Sequence, residues 1–118
     1  MNMYLKVFIL VILCAGIGFA EEKLYSDKYD HIDVDAILRN PRQRNGYYNC
    51  FAEMGPCVTA DAKFFRDHFP EAIVTNCKKC TPKQLENFDK LTDWYTTHEL
   101  NKYNALVELA LKKFTKKN

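Results

Sequence analysis

The chain has 118 residues, of which 47% are hydrophobic, and 17 Lys plus Arg stand against 15 Asp plus Glu. This length allows one small domain and excludes most multidomain enzymes. A charged fraction of 27% with 16 aromatic residues argues against disorder, and a net charge of +2 is too small to indicate a nucleic-acid binder.

The first 20 residues have the layout of a secretory signal peptide, because one Lys precedes an apolar stretch that ends in small residues. A membrane anchor is the alternative, but the uninterrupted run 7–20 has 14 residues, short of the roughly 20 that span a bilayer. We therefore expect cleavage after Ala20. The mature domain, residues 21–118, would be secreted and extracellular, without stable membrane insertion, and would keep four of the five cysteines.

Polar residues 21–31 predict an extended surface segment. Two short helices follow. Asp33 can cap the first, and Asn40 caps the second, in which Pro41 takes the first helical position. Their predicted apolar faces are Val34, Ile37 and Leu38, then Tyr47, Phe51 and Met54.

Three longer helices are predicted after the turn at Gly55-Pro56. Thr59 or Asp61 caps the third, in which Pro70 predicts a kink or a break. Thr81 caps the fourth, and the fifth begins near residue 99. The buried faces should be Ala62, Phe65, Phe69 and Ile73; Leu85, Phe88, Leu91 and Tyr95; and Leu100, Tyr103, Leu106, Val107, Ala110 and Phe114. Short connections between such helices predict a compact all-α bundle.

Four cysteines in a short secreted chain indicate two disulfides, and three pairings are possible. Bridges between sequence neighbours are sterically easy, since Cys50 and Cys57 flank a turn and Cys77 and Cys80 are three residues apart. A redox dithiol at Cys77 and Cys80 is one alternative, but such sites need a βαβ scaffold. Four-thiolate zinc is another, but the spacing of the first pair does not suit it.

Other enzyme patterns are missing from the sequence. The histidines are widely separated, Ser26 has no nucleophile elbow around it, and there is no glycine-rich phosphate loop. We therefore expect no enzyme activity, no catalytic residue, no metal site and no cofactor.

Several motifs run over most of the mature domain. They are Tyr25-Ser-Asp-Lys-Tyr29-Asp30, Ile32-Asp33, Ile37-Leu38, Tyr47-x-Asn49-Cys50, Gly55-Pro56-Cys57, Phe69-Pro70-Glu71-Ala72-Ile73, Thr75-Asn76-Cys77-x-Lys79-Cys80-Thr81 and Gln84. With the Cys-x6-Cys-x19-Cys-x2-Cys spacing, they make the chain resemble the insect chemosensory protein family, also called OS-D-like.

The resemblance implies five or six helices around an apolar channel, and disulfides Cys50–Cys57 and Cys77–Cys80. It also implies reversible, non-covalent carriage of fatty acids, long-chain alcohols, esters and odorant- or pheromone-like compounds. The chain departs from the family after Cys57 and near its end, where the last family helix should be short, missing or fused with the fifth.

The predicted ligand-binding residues combine that implication with the helix faces. Tyrosines offer an apolar body and a hydroxyl, and by the resemblance Tyr47 and Tyr103 line or gate the channel. The full set is Tyr29, Ile37, Tyr47, Phe51, Phe65, Phe69, Ile73, Phe88, Leu91, Tyr95, Tyr103 and Leu106. The alternative is that these aromatic residues only fill the core.

The function predicted from the sequence is thus a secreted monomeric carrier whose partner is a small lipophilic ligand and not a nucleic acid. A secreted developmental, immune or salivary factor that acts through a protein partner is the alternative. The lysines from Lys112 to Lys117 either solubilise a helix end or attract an acidic headgroup.

Overall fold

The computed structural model describes residues 23–117, so the predicted signal peptide and its cleavage point lie outside the described residues. Within this range the chain forms five helices and no strand, which confirms the all-α class. We number them α1 (Val34–Arg39), α2 (Pro41–Phe51), α3 (Ala60–Thr75), α4 (Pro82–His98) and α5 (Leu100–Lys117).

The predicted helix starts are confirmed by their side-chain caps. Asp33 accepts a hydrogen bond from the Ala36 amide at 3.1 Å, and Asn40 accepts from two amides of the first turn of α2. For α3 the structure selects Thr59, whose hydroxyl accepts from the Ala62 amide. These contacts satisfy amides that a helix leaves unpaired at its start.

The start of α4 is a reciprocal capping box. The Thr81 hydroxyl accepts from the Gln84 amide at 3.1 Å, and the Gln84 Oε1 accepts from the Thr81 amide at 2.9 Å. Thr81 also donates to Asp30 Oδ2 at 2.8 Å. The segment before α1 is thereby attached to the beginning of α4.

Three residues predicted on apolar or buried faces are exposed, and one of them is Leu100, the first residue of α5, which is 51% exposed. Helix α2 ends at Phe51, so Met54 lies beyond it and is 71% exposed. Leu85 is 43% exposed because it follows Gln84 by one position, and Gln84 lies on the stripe that contains Phe88 and Leu91. One position along an α-helix is a rotation of about 100°, which turns Leu85 away from that stripe. Of the two outcomes expected at Pro70, a kink or a break, the break does not occur, since α3 continues through it, and the kink stays a prediction.

The five helices touch in a closed circuit. Helix α1 packs on α2, α2 on α3, α3 on α5, α5 on α4, and α4 on α1. The main core cluster inside this circuit is Val34, Leu38, Tyr48, Tyr95 and Leu106. Partly buried rings surround the cluster, among them Phe51, Phe69 and Trp94. A circuit of this kind encloses a central space that its inward side chains fill only in part.

Both predicted disulfides are present. Cys50–Cys57 joins the end of α2 to the segment before α3, with Cα atoms 4.9 Å apart. Cys77–Cys80 closes the turn between α3 and α4, with Cα atoms 5.0 Å apart. Asn76 ends α3 in the left-handed region with φ 55°, which asparagine tolerates better than most residues.

Candidate functional site

Two adjoining cavities lie among the described residues. The larger of the two has a volume of about 120 Å³ and lies between α1, α2, α3 and α4. The segment before α1 and the Cys77–Cys80 turn complete its wall. The lining is predominantly apolar and aromatic, as in sites for small lipophilic ligands. The lining residues are Tyr25, Ile32, Val34, Ile37, Tyr47, Phe51, Phe64, Phe65, His68, Phe69, Ala72, Cys77, Cys80, Gln84, Asn87, Phe88 and Leu91.

A second cavity of about 60 Å³ lies beside the first and extends towards α5. Six residues line both: Ile37, Tyr47, Phe51, Phe69, Phe88 and Leu91. The others in the second wall are Leu38, Arg44, Tyr48, Ile73, Thr92, Tyr95, Tyr103 and Leu106. The two cavities are therefore separated by side chains that belong to both walls.

The structure brings most of the predicted binding residues together. Eleven of the twelve line one cavity or both, and the exception is Tyr29. The Tyr29 ring packs instead on Phe64 and Phe65, with centroids 5.2 and 6.2 Å away. It therefore lies behind the wall of the larger cavity. A ligand-binding role for the twelve residues stays a prediction.

Two tyrosines at the larger cavity are held by carboxylates. Tyr47 donates to Asp61 Oδ2 and Tyr25 donates to Glu71 Oε1, both at 2.5 Å. Burial and the Asp61 carboxylate raise the pKa of Tyr47 to about 12. Burial and then Glu71 raise the pKa of Tyr25 as well. Both phenols therefore stay protonated at physiological pH, and their hydrogens are engaged.

The pKa values of the two carboxyl partners, Asp61 and Glu71, are lowered. Burial alone would raise the pKa of Asp61, but hydrogen bonds from Tyr47 and Thr59 hold it below its usual value. The Tyr25 hydrogen bond lowers the pKa of Glu71, aided by Lys79, whose Nζ is 3.6 Å from Oε2. Two negative charges thus lie directly behind the phenols of the wall.

Arg44 is the basic residue of the second cavity. Its Nη1 donates to the Leu38 carbonyl at 2.6 Å, and its guanidinium lies 4.2 Å from the centroid of the Trp94 ring. This cation–π contact and the carbonyl bond hold the side chain against α1 and α4. In the described part of the chain, no lysine lines either cavity.

Lys112, Lys113 and Lys116 line neither cavity. Lys112 Nζ is 3.7 Å from Glu108 Oε1, and Lys113 Nζ is 3.0 Å from Glu53 Oε2. These pairs favour the solubilising interpretation over the headgroup interpretation.

Several wall residues were missed from the sequence. Gln84 and Asn87 are polar, but they fall on the same stripe of α4 as Phe88 and Leu91, at spacings of three or four residues. That spacing is the signal that could have found them. Tyr25 and Ile32 had no such signal, because they precede α1 and reach the cavity through tertiary contacts.

An apolar, aromatic lining with a few polar groups is suited to binding a small molecule. All four cysteines described are in disulfides, so they offer neither thiolate ligands for zinc nor a free dithiol. From residue 23 to 117 there is no group of three or more His, Cys, Asp or Glu side chains placed to hold a metal ion. None of the helices in that range is long and apolar enough to cross a bilayer.

Fold and site together define a disulfide-bonded helical domain with an aromatic-lined interior. Residues 25–118 match the family described as the insect pheromone-binding family, A10/OS-D, and the chain belongs to this family. It is similar to the allergen Tha p 1 of Thaumetopoea pityocampa, with 39% identity over 110 residues that cover 92% of this chain and 83% of the allergen. It is also 30% identical over 102 residues to the ejaculatory bulb-specific protein 3 of Drosophila melanogaster, covering 86% and 80% of the two chains.

A solved structure supports the fold assignment. A chemosensory protein in complex with bromo-dodecanol superimposes with a TM-score of 0.69 and 32% identity, over 75% of this chain and 88% of that chain. The match confirms the resemblance to chemosensory proteins that the motifs indicated.

Proposed function

We propose that this protein is a secreted, monomeric, non-enzymatic carrier that reversibly binds small lipophilic molecules in its interior. The ligand classes are fatty acids, long-chain alcohols and esters, and odorant- or pheromone-like compounds. The observation that carries the proposal is the pair of adjoining apolar cavities inside a closed circuit of helices. The related chemosensory protein bound to bromo-dodecanol supports the same ligand chemistry.

The energetics support reversible binding. Transfer of about ten methylenes from water into an apolar site contributes about 0.8 kcal/mol each, or about 8 kcal/mol in total. The ligand and the side chains lose freedom on binding, and this offsets part of the gain. We therefore expect dissociation constants in the micromolar range.

A cavity-filling substitution tests the proposal. Leu91 lines both cavities, whereas Leu85 on the same helix is 43% exposed. Wild-type protein should bind the fluorescent probe N-phenyl-1-naphthylamine and release it to C12–C18 alcohols, acids or esters. Leu91→Trp should bind the probe at least about tenfold more weakly, since the indole occupies the ligand's volume.

Leu85→Trp is the matched control, because it adds the same indole outside the cavities, and its affinity should equal that of wild type. Circular dichroism establishes that both variants are folded. Failure of every tested acid, alcohol and ester to displace the probe would contradict the proposal, as would equal affinities of the two variants. Light scattering after size exclusion tests the monomer.

A further inference from the structure

Asn87 is a polar side chain in the apolar wall of the larger cavity. It lies on α4 next to Phe88 and three residues after Gln84, and only 7% of it is exposed. The structure gives its amide no hydrogen bond to the described residues. The amide therefore has unused hydrogen-bonding capacity at a largely buried position beside the cavity, and polar groups at such positions are normally satisfied by something bound next to them.

The other polar groups of this wall are already engaged. Gln84 accepts from Thr81 and donates to the Ser26 carbonyl at 2.8 Å, and Tyr25 donates its hydroxyl hydrogen to Glu71. Tyr47 donates to Asp61 in the same way. The His68 Nδ1 is 2.7 Å from the Phe64 carbonyl, and since that oxygen only accepts, Nδ1 carries the hydrogen. Each of these side chains thus makes at least one hydrogen bond, whereas the Asn87 amide makes none to the described residues, so its donors and its acceptor are all free.

The charges around this cavity determine whether a neutral or an ionised ligand group is favoured beside Asn87. Its described lining contains no Lys or Arg, and the carboxylates of Glu71 and Asp61 lie behind two of its tyrosines. Lys79 pairs with Glu71 from outside the wall, but no lysine or arginine of the wall itself could pair with a bound carboxylate, so an ionised carboxylate would be desolvated here without a direct cationic partner, which is unfavourable. Arg44 lines only the second cavity, where its Nη1 donates to Leu38 and its guanidinium lies over Trp94, while its buried Nε has no hydrogen bond among the described residues; a carboxylate bound to Arg44 would therefore lie in the second cavity and would leave Asn87 unpaired.

We infer that Asn87 is the hydrogen-bond anchor for an uncharged oxygen group, a hydroxyl or a carbonyl, at the end of a lipophilic ligand. This deepens the proposed function and rests on it. The alkyl chain would lie against Phe88, Leu91 and the other apolar residues of the wall. The protein would then favour long-chain alcohols and esters over ionised fatty acids of equal length.

Competition against N-phenyl-1-naphthylamine tests the inference, with 1-dodecanol and dodecanoate as paired competitors at pH 8, where the acid is ionised. Wild-type protein should bind dodecanol at least about fivefold more tightly than dodecanoate. In Asn87→Leu, which keeps the size and removes the amide, dodecanol affinity should fall about threefold to tenfold, the range of one hydrogen bond. Dodecanoate affinity should change by less than about twofold.

Asn104→Leu is the matched control. It makes the same change at an exposed position of α5, so both affinities should equal those of wild type. A direct measurement covers the case in which Asn87→Leu does not fold. In the amide NMR spectrum of wild-type protein, the side-chain NH₂ pair of Asn87 should shift when dodecanol is added.

The outcomes separate the two proposals. Dodecanoate binding as tightly as dodecanol, an unchanged dodecanol affinity in folded Asn87→Leu, or an unmoved NH₂ pair would each overturn the anchor and leave the carrier function standing. Displacement by neither compound would also overturn the anchor, and failure of every longer acid, alcohol and ester as well would overturn the carrier function itself.

Discussion

The rings of Phe51 on α2 and Phe69 on α3 stack with centroids 5.6 Å apart and planes inclined by 26°. Both rings line both cavities. The pair is therefore part of the partition between the two spaces, and the width of that partition depends on two side chains that can change rotamer. We therefore expect this stack to limit the length of ligand that the interior can accept.

Replacing Phe69 with Ala should remove half of this stack and join the two cavities. We expect C16 and C18 alcohols to gain affinity relative to dodecanol, because the chain can then extend from one cavity into the other. Probe displacement with an alcohol series measures the change. The free energy of unfolding should fall by about 3 kcal/mol, as is usual when a packed aromatic ring is deleted.

Phe114→Ala is the control, since Phe114 is half-buried on α5 and lines neither cavity. Its preference for chain length should match that of wild type. An identical chain-length profile in Phe69→Ala would mean that the stack does not limit ligand length.

The two disulfides should have different effects on binding. Cys77 and Cys80 line the larger cavity, whereas Cys50 and Cys57 line neither. The double variant Cys77→Ser/Cys80→Ser should therefore weaken probe binding, and Cys50→Ser/Cys57→Ser should affect mainly stability. On the chain-entropy account each loss costs about 2–2.5 kcal/mol, measured by urea unfolding. Equal probe affinities in the two variants, both folded, would contradict this difference.

The Tyr47–Asp61 pair predicts a pH dependence of stability at both extremes. The pKa of Tyr47 is raised to about 12 in the folded state from an ordinary value of 10.0. The folded protein thus keeps a proton that the unfolded chain loses, so this stabilisation is present below pH 10 and disappears as the pH rises towards 12. The pKa of Asp61 is lowered, so its stabilisation is lost as the pH falls through the acid range.

Tyr47→Phe removes the first contribution and part of the second, because the hydrogen bond from Thr59 to Asp61 remains. Its urea midpoint should vary less than that of wild type between pH 9 and 11, and also between pH 5 and 3. Thr81→Ala, which leaves this pair intact, is the control and should keep the wild-type slopes. Parallel curves for Tyr47→Phe and wild type would show that the pair is not linked to folding.

The hydroxyl of Thr81 should contribute more than an ordinary helix cap. It accepts from Gln84 and donates to Asp30 Oδ2, while the buried Asp30 Oδ1 has no hydrogen bond among the described residues. Thr81→Ala loses the cap, worth about 1 kcal/mol, and also leaves the Asp30 carboxylate without this donor. We expect a loss of about 2–3 kcal/mol in the free energy of unfolding.

Thr81→Ser keeps the hydroxyl and should stay within about 0.5 kcal/mol of wild type, and Asp30→Asn should recover part of the loss in the Thr81→Ala background. A cost of only about 1 kcal/mol for Thr81→Ala would indicate that the bond to Asp30 contributes nothing.

The sequence predicted the helices well because their signals are local. Asp33, Asn40, Thr59 and Thr81 each cap a helix within three or four residues, and the stripes give the buried faces. The details that failed have physical reasons. Pro70 is tolerated because its neighbours Phe69 and Ala72 pack into the interior, and tertiary packing outweighs the hydrogen bond that proline removes.

The apolar residues of the site were largely predictable from the sequence. The apolar face of each helix points into the bundle, so its residues line the space that the helices enclose. Its polar features were not predictable in the same way. Tyr25 reaches Glu71 across 46 positions of the chain, and Tyr47 reaches Asp61 across 14. No period or spacing encodes such pairs. They depend on how the segment before α1 and the helices α2 and α3 come together.

The closed circuit of helices has a consequence for the stability of the proposed carrier. Among the described residues, Cys50 has the largest side chain that is less than 2% exposed, while the aromatic rings of the interior surround space. A lipophilic ligand bound there would fill the space that a large buried side chain fills in other cores. At a free concentration one hundred times its dissociation constant, the ligand would add about 2.7 kcal/mol to the free energy of unfolding. If the protein is secreted as proposed, its resistance to extracellular proteases would then depend on ligand. The ligand-bound protein would be degraded more slowly than the ligand-free protein.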